Sequence, residues 1–183
     1  MSSLNHMFYI PIITLKVINW EEKKKKLVDK YKTLQLKYHE KDHVKTNYHE
    51  DYLSLVPHVV DVLGQELQEF IDVVKLPSCE VVSAWFELSR KGDYHQVHHH
   101  GPTGFSSVCF IEFCNNVHEP TLFLSPFNNF LTGEELRYTP DVCEGTIIFF
   151  PSSILHYTEP NLSDKERLIL SFNLKFPTLI ENS

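Results

Sequence analysis

Arg167-Leu168-Ile169-Leu170-Ser171-Phe172-Asn173-Leu174 is the stretch on which the fold turns. In extended backbone successive side chains point to opposite faces. Arg167, Ser171 and Asn173 therefore share one face, and Leu168, Leu170, Phe172 and Leu174 share the other. The leucine face needs an apolar layer on top of it. The opposite face carries a cation, which is costly inside a protein unless a partner neutralises it, and a guanidinium fork matches a carboxylate through two parallel hydrogen bonds. A small dicarboxylate would be a suitable partner.

Working outward, the same period of two recurs in Glu80 to Arg90, Phe105 to Phe113, Thr121 to Ser125 and Gly145 to Phe150, and the last strand extends over Arg167 to Phe176. Turn chemistry separates these runs, as in Lys91-Gly92-Asp93, Gly101-Pro102 and Asn161-Leu162-Ser163-Asp164. Before Pro77 the period is helical. Trp20, Leu27, Tyr31 and Leu34 predict a helix from Trp20 to about Leu36, and Val56, Val60, Leu63, Leu67, Phe70 and Val74 predict another from about Ser54 to Val74. Ser54 is the expected cap of the second, with Pro57 tolerated in its first turn. Phe8 to Ile18 suits an opening strand, and Lys37 to Glu50, with His39, His43 and His49, reads as a solvated loop. Helices followed by many short strands, without strand-helix-strand alternation, predict a mainly β fold with helices: a double-stranded β-helix (jelly roll, cupin-like) with N-terminal helices packed on the major sheet. The length of 183 residues predicts a single domain over 1–183, helical over about 1–78 and a β-helix core over about 79–176.

Composition narrows the function. Apolar residues at 42% and charged residues at 22% are ordinary for a globular chain. A net charge of -7 removes the counterion-release contribution that drives binding to a nucleic-acid backbone. Met7 to Ile18 is too short and too interrupted to span a bilayer, and Met1 to His6 lacks the basic leader of a secretory signal, so a cytoplasmic protein is expected. Cys79, Cys109, Cys114 and Cys143 have no Cys-x-x-Cys spacing and read as buried reduced thiols. Lys23 to Lys26 lie mostly off the apolar stripe of their helix and read as a solvated face.

Histidine is the anomaly, at 11 residues with three consecutive. By alternation His98 and His100 project together while His99 points away. Two imidazoles at the end of a strand can hold one transition-metal ion if a third ligand arrives from a distant strand, and His156, after the strand Gly145 to Phe150 and the stop Pro151, is the candidate.

The string Gly92-Asp93-Tyr94-His95 through His98-His99-His100-Gly101, with Gly104 to Phe110, resembles the metal-binding strand of the 2-oxoglutarate and iron(II)-dependent oxygenase superfamily. Glu144 to Pro151, followed by His156, Pro160-Asn161 and Arg167 to Asn173, resembles that superfamily's second metal strand and its 2-oxoglutarate strand. The likeness covers roughly Val81 to Leu174 and is closest to oxygenases of tailed phages of marine bacteria, which would place the protein in a host cytoplasm. The resemblance implies that His98, His100 and His156 bind iron(II). It implies that Arg167, helped by Ser171, holds the distal carboxylate of the cosubstrate 2-oxoglutarate. The reaction implied is a dioxygenase (hydroxylase) reaction, coupling decarboxylation of 2-oxoglutarate by dioxygen to oxidation of a primary substrate that the sequence does not name. One departure stands out: most of the superfamily has Asp or Glu two residues after the first histidine, where this chain has His100. Asp93 is the nearest substitute but sits on a turn, and a solvated turn aspartate is the simpler reading. Tyr94 and His95 stay outside the expected site. Trp85 and Phe86 read as core, and Phe123 to Gly133 as a connector or a lid. Two alternatives remain open: a three-histidine metal-dependent cupin of other chemistry, and a non-catalytic barrel used as an interaction or virion protein.

Overall fold

The structure is a computed structural model and describes residues 9–39 and 43–176. Among the described residues ten strands form two antiparallel sheets. The larger has β1 (Ile13–Lys16), β2 (Lys45–Thr46), β3 (Glu80–Ser89), β5 (Phe105–Glu112), β8 (Thr146–Pro151) and β10 (Arg167–Lys175) in the order β1-β8-β5-β10-β3-β2. The smaller has β4 (His95–His98), β6 (Leu122–Asn128), β7 (Glu135–Tyr138) and β9 (His156–Thr158) in the order β4-β9-β6-β7. Three helices, α1 (Trp20–Lys32), α2 (Tyr48–Asp51) and α3 (Val56–Val74), precede the long strands. This is the expected jelly roll. Among the described residues no helix is long and apolar enough to cross a membrane.

Alternation sorts the side chains into two cores. Leu168, Leu170, Phe172 and Leu174 of β10 join Cys109, Ile111, Ile147 and Phe149 beneath α1 and α3. Ile169 from the opposite face of β10 joins Val108, Phe110, Ile148, Phe150 and Phe123 between the sheets. Burying side chains of this size contributes about 1.5–3 kcal/mol each, so both faces of β10 are strongly specified. Gly104 (φ +88°) holds the chain against Leu174 so closely that a Cβ would overlap the Leu174 carbonyl oxygen, and this contact anchors the loop leading out of the histidine segment.

Several elements depart from expectation. β1 is confined to Ile13–Lys16, and Phe8 lies outside the described residues. α1 stops at Lys32, and α3 begins at Val56 with Leu55 in the N-cap position. Its buried face runs through Val59 rather than Val60, which is exposed; both choices fit the three-four spacing, and packing on the sheet selects one. Lys23 is not solvated: its Nζ lies 2.7 Å from Oε2 of Glu66, a fully buried carboxylate that also accepts the Ile18 N–H. The Lys37–Glu50 segment is not a plain loop but contains β2 and α2. All four cysteines are free, and only Cys109 is buried.

Candidate metal centre

Two pairings bring the histidines together. β4 and β9 are antiparallel neighbours in which His98 faces His156 directly. His100, just beyond β4, is held by its backbone N–H donating to the Ser152 carbonyl, 2.8 Å away, in the turn after β8. Ring centroids lie 4.2 Å apart for His98–His156 and 5.0 Å for both pairs that include His100. One nitrogen from each ring falls within 4.8 Å of the others. His99 is exposed, and its Nδ1 accepts the Gly101 N–H.

The ring protons are set by neighbours that can only accept. His98 Nδ1 lies 2.7 Å from the Gln96 carbonyl and His156 Nδ1 lies 2.9 Å from the Ile154 carbonyl. Nδ1 must therefore donate in each, and Nε2 carries the lone pair of the neutral ring. His156 Nε2 then sits 3.2 Å from His100 Nε2, an arrangement that calls for a proton or a cation between them. Burial, with help from neighbouring histidines, pushes His100 down to about 4 and His156 well below the ordinary imidazole value. Both are thus neutral near pH 7, as metal ligation requires. Backbone carbonyls that orient ligand imidazoles are the usual outer shell of such a centre. The donor set fits iron(II), and equally other divalent ions that accept imidazole.

Two cavities meet at the triad. One, of about 20 Å³, lies inside the jelly roll among His98, His100, His156, Thr121, Ile169 and Ser171, and holds about one water. The other, of about 240 Å³, opens outward between Trp85, Tyr48, His49, Thr46 and His98 to His100. Its outer wall is the β2–α2 segment. A larger groove of about 420 Å³, beside Ile12, Leu136 and Tyr138, contains none of the histidines.

Arg167, at the start of β10 and two inward positions before Ser171, points into the interior and does not line the small cavity. It is fully buried. Its terminal nitrogens donate to the Glu119 carbonyl (2.8 Å) and to Ser89 Oγ (3.3 Å), and its Nε is buried without a partner. Burial lowers its pKa to about 10 while Glu87 pulls it back up, so it stays cationic. An unpaired buried donor costs about 1–3 kcal/mol, and a carboxylate oxygen would satisfy it. Arg167 therefore presents a buried cation with hydrogen-bonding capacity left for a carboxylate oxygen. Ile169 stands between Arg167 and Ser171 on the same face and lines the small cavity.

Three site residues lay outside the expected set. Glu87, in the inward register of β3 opposite Ile169, is buried; its Oε1 accepts Trp85 Nε1–H at 2.8 Å and its Oε2 lies 3.2 Å from His95 Nδ1. His95 stacks on His98 at 4.1 Å because a bulge between them puts residues three apart on one face. Trp85 lines the outer cavity, whereas Phe86 is core as expected. An acid in step with Trp85 on an apolar strand was a readable signal for Glu87; the bulge left none for His95. Asp93 lies away from the triad, and its Oδ2 accepts from Tyr38 Oη and the Arg90 N–H.

Residues 83–173 match the family described as Putative 2OG-Fe(II) oxygenase. No curated protein matches the chain by sequence. Among solved structures, HygX from Streptomyces hygroscopicus, determined with nickel, 2-oxoglutarate and hygromycin B, superposes with a TM-score of 0.65 at 10% identity, over 89% of this chain and 82% of its own. A viral collagen prolyl hydroxylase from Paramecium Bursaria Chlorella virus-1 gives 0.61 at 13% identity, over 89% and 94%. A Pseudomonas putida prolyl-4-hydroxylase gives 0.55 at 13%, over 90% and 91%. At such identities the superpositions speak for the fold alone, and what ties this chain to 2-oxoglutarate/iron(II)-dependent oxygenases by sequence is the family match over residues 83–173, the strands from β3 to β10.

Proposed function

We propose that the protein is a dioxygenase whose iron(II) is held by His98, His100 and His156, with the distal carboxylate of 2-oxoglutarate on Arg167 and Ser171 and the primary substrate in the outer cavity of about 240 Å³. The observation that carries this reading is the convergence of three imidazole nitrogens, two of them with their lone pairs fixed by backbone carbonyls. Bound iron(II) and 2-oxoglutarate would supply the oxidising chemistry. The chain's own residues do the rest: Gln96 and Ile154 carbonyls orient the rings, Arg167 offers a cation in a water-poor interior, and Trp85 and Tyr48 wall the outer cavity. Its size suits a small molecule or a single side chain of a larger one.

Anaerobic loading with iron(II) followed by dioxygen and 2-oxoglutarate tests the proposal. Slow succinate formation without added substrate is expected, lost in His98→Ala and His156→Ala together with metal uptake and retained in His99→Ala. Metal-loaded protein that fails to bind 2-oxoglutarate at millimolar concentration would instead support a three-histidine oxygenase of other chemistry, a reading favoured by the all-imidazole donor set. We further read residues 1–183 as one domain working in the cytoplasm, to which the four free cysteines correspond. Kinship with marine phage oxygenases rests on the Gly92–Gly101 and Arg167–Asn173 strings alone.

A further inference from the structure

The three proposed ligands are neutral, so nothing among them offsets the charge of a divalent ion. Glu87 lies behind them. It is 4% exposed, and its two oxygens face Trp85 Nε1 and His95 Nδ1. His95 in turn lies ring to ring on His98, 22° from parallel. Glu87 lines both cavities that meet at the triad, and the charged or titratable side chains around it include His95, His98, His100 and Arg167. Its carboxylate is not one of the atoms that converge on the ion position. A carboxylate in this place is held for a reason other than local stability, because an apolar residue would fill the inward register of β3 without the cost of a buried charge.

We propose that Glu87, acting through His95, is the carboxylate of this centre, supplying from behind the ligand ring the negative charge that a two-histidine, one-carboxylate site holds in direct contact with the metal. This rests on the reading that His98, His100 and His156 bind the ion. Glu87 fixes the ring of His95, His95 braces the ring of His98, and the charge of Glu87 favours a divalent cation in the low-dielectric interior. It is a positioning residue that sets metal affinity, and it explains how position 100 carries a histidine in a chain of this family. Outer-shell partners of this kind change metal affinity by about 10- to 100-fold when removed.

The test is titration calorimetry of the full-length protein, freed of metal, with Mn(II), alongside the visible spectrum of the Co(II)-loaded form. Glu87→Gln, which keeps shape and hydrogen-bonding capacity, is expected to weaken Mn(II) binding about 10- to 100-fold and to shift the cobalt bands, as a purely structural role would not. His95→Phe, which keeps the stacking, is expected to weaken binding to a similar extent, and the double variant no further than the weaker single. Unchanged affinity in Glu87→Gln, or additive losses in the double, would overturn the inference. Should Glu87→Gln fail to fold, His95→Phe decides: weaker binding supports the link, equal binding ends it. A parent protein that binds no metal would overturn the ligand set and this inference with it, a result distinct from variants that bind as the parent does.

Discussion

Metal-free protein should lose stability steeply as the pH falls from 7 to 4, and His100 should account for a definable share. In the folded chain burial and the neighbouring His98 hold His100 at about 4, against an ordinary 6.5. Between these values the unfolded chain binds a proton that the folded chain refuses, so stability declines as the pH drops through this window. At about 1.4 kcal/mol per tenfold change in proton affinity, the full effect is roughly 3 kcal/mol. His156 acts in the same direction, as do His58 and His118, which burial also lowers. Glu87 does not blunt the slope. Burial alone would raise it, but His95, Trp85 and His98 together hold it below the usual carboxylate range. Its contribution is therefore intact above 4.5 and is lost only at lower pH. The assay is urea unfolding in a chelator at pH values from 7 to 4, comparing the parent with His100→Asn, which removes the titrating ring. The parent should lose roughly 3 kcal/mol more than the variant across this range. Parallel curves would show that His100 is accessible to protons in the folded protein, and the neutral, lone-pair-presenting triad would fall with that result.

Arg167→Ala should weaken 2-oxoglutarate binding to the Mn(II)-loaded protein by about tenfold or more, the worth of one charged hydrogen bond, while metal affinity changes little; calorimetry showing equal 2-oxoglutarate affinity would remove Arg167 from this role. Lys23→Met strands the buried carboxylate of Glu66, leaving the Ile18 N–H as its hydrogen-bond donor among the described residues, and should cost about 3 kcal/mol in urea unfolding. Adding Glu66→Leu should recover most of that loss, and no recovery would refute the stranded-charge account. Gly104→Ala places a Cβ against the Leu174 carbonyl at a positive φ, and should destabilise by about 1–3 kcal/mol or more, read as a fall in Tm; an unchanged Tm would mean that the loop shifts freely.

How far the site could be read in advance follows from which features are local. Residues two apart on a strand share a face whatever the strand pairs with, so the common side of His98 and His100, the outward His99 and the inward Arg167 and Ser171 were all legible. The β2–α2 wall was not, because Lys45–Thr46 becomes a strand by pairing with Leu88 and Glu87 of β3 and with Lys37. Nor were the stacking of His43 on Tyr94 and of His39 on His49, which turn apparently solvated histidines into packed ones. Lys23 misled for a related reason: a helical wheel shows that it flanks the apolar stripe but not that Glu66 of a later helix is waiting there.

Periodicity by itself determined the helical front, the stranded back, the jelly roll and the faces on which the histidines and Arg167 stand, since each depends only on the alternation of apolar and polar residues along a short segment. Tertiary structure alone decided the rest. The β4–β9 register sets His98 opposite His156, the bulge brings His95 onto His98, and the inward turn of β3 places Glu87 behind both. Those arrangements come from pairing between strands far apart in the chain, where register and bulges are settled by the packing of two sheets at once, and no single segment encodes them.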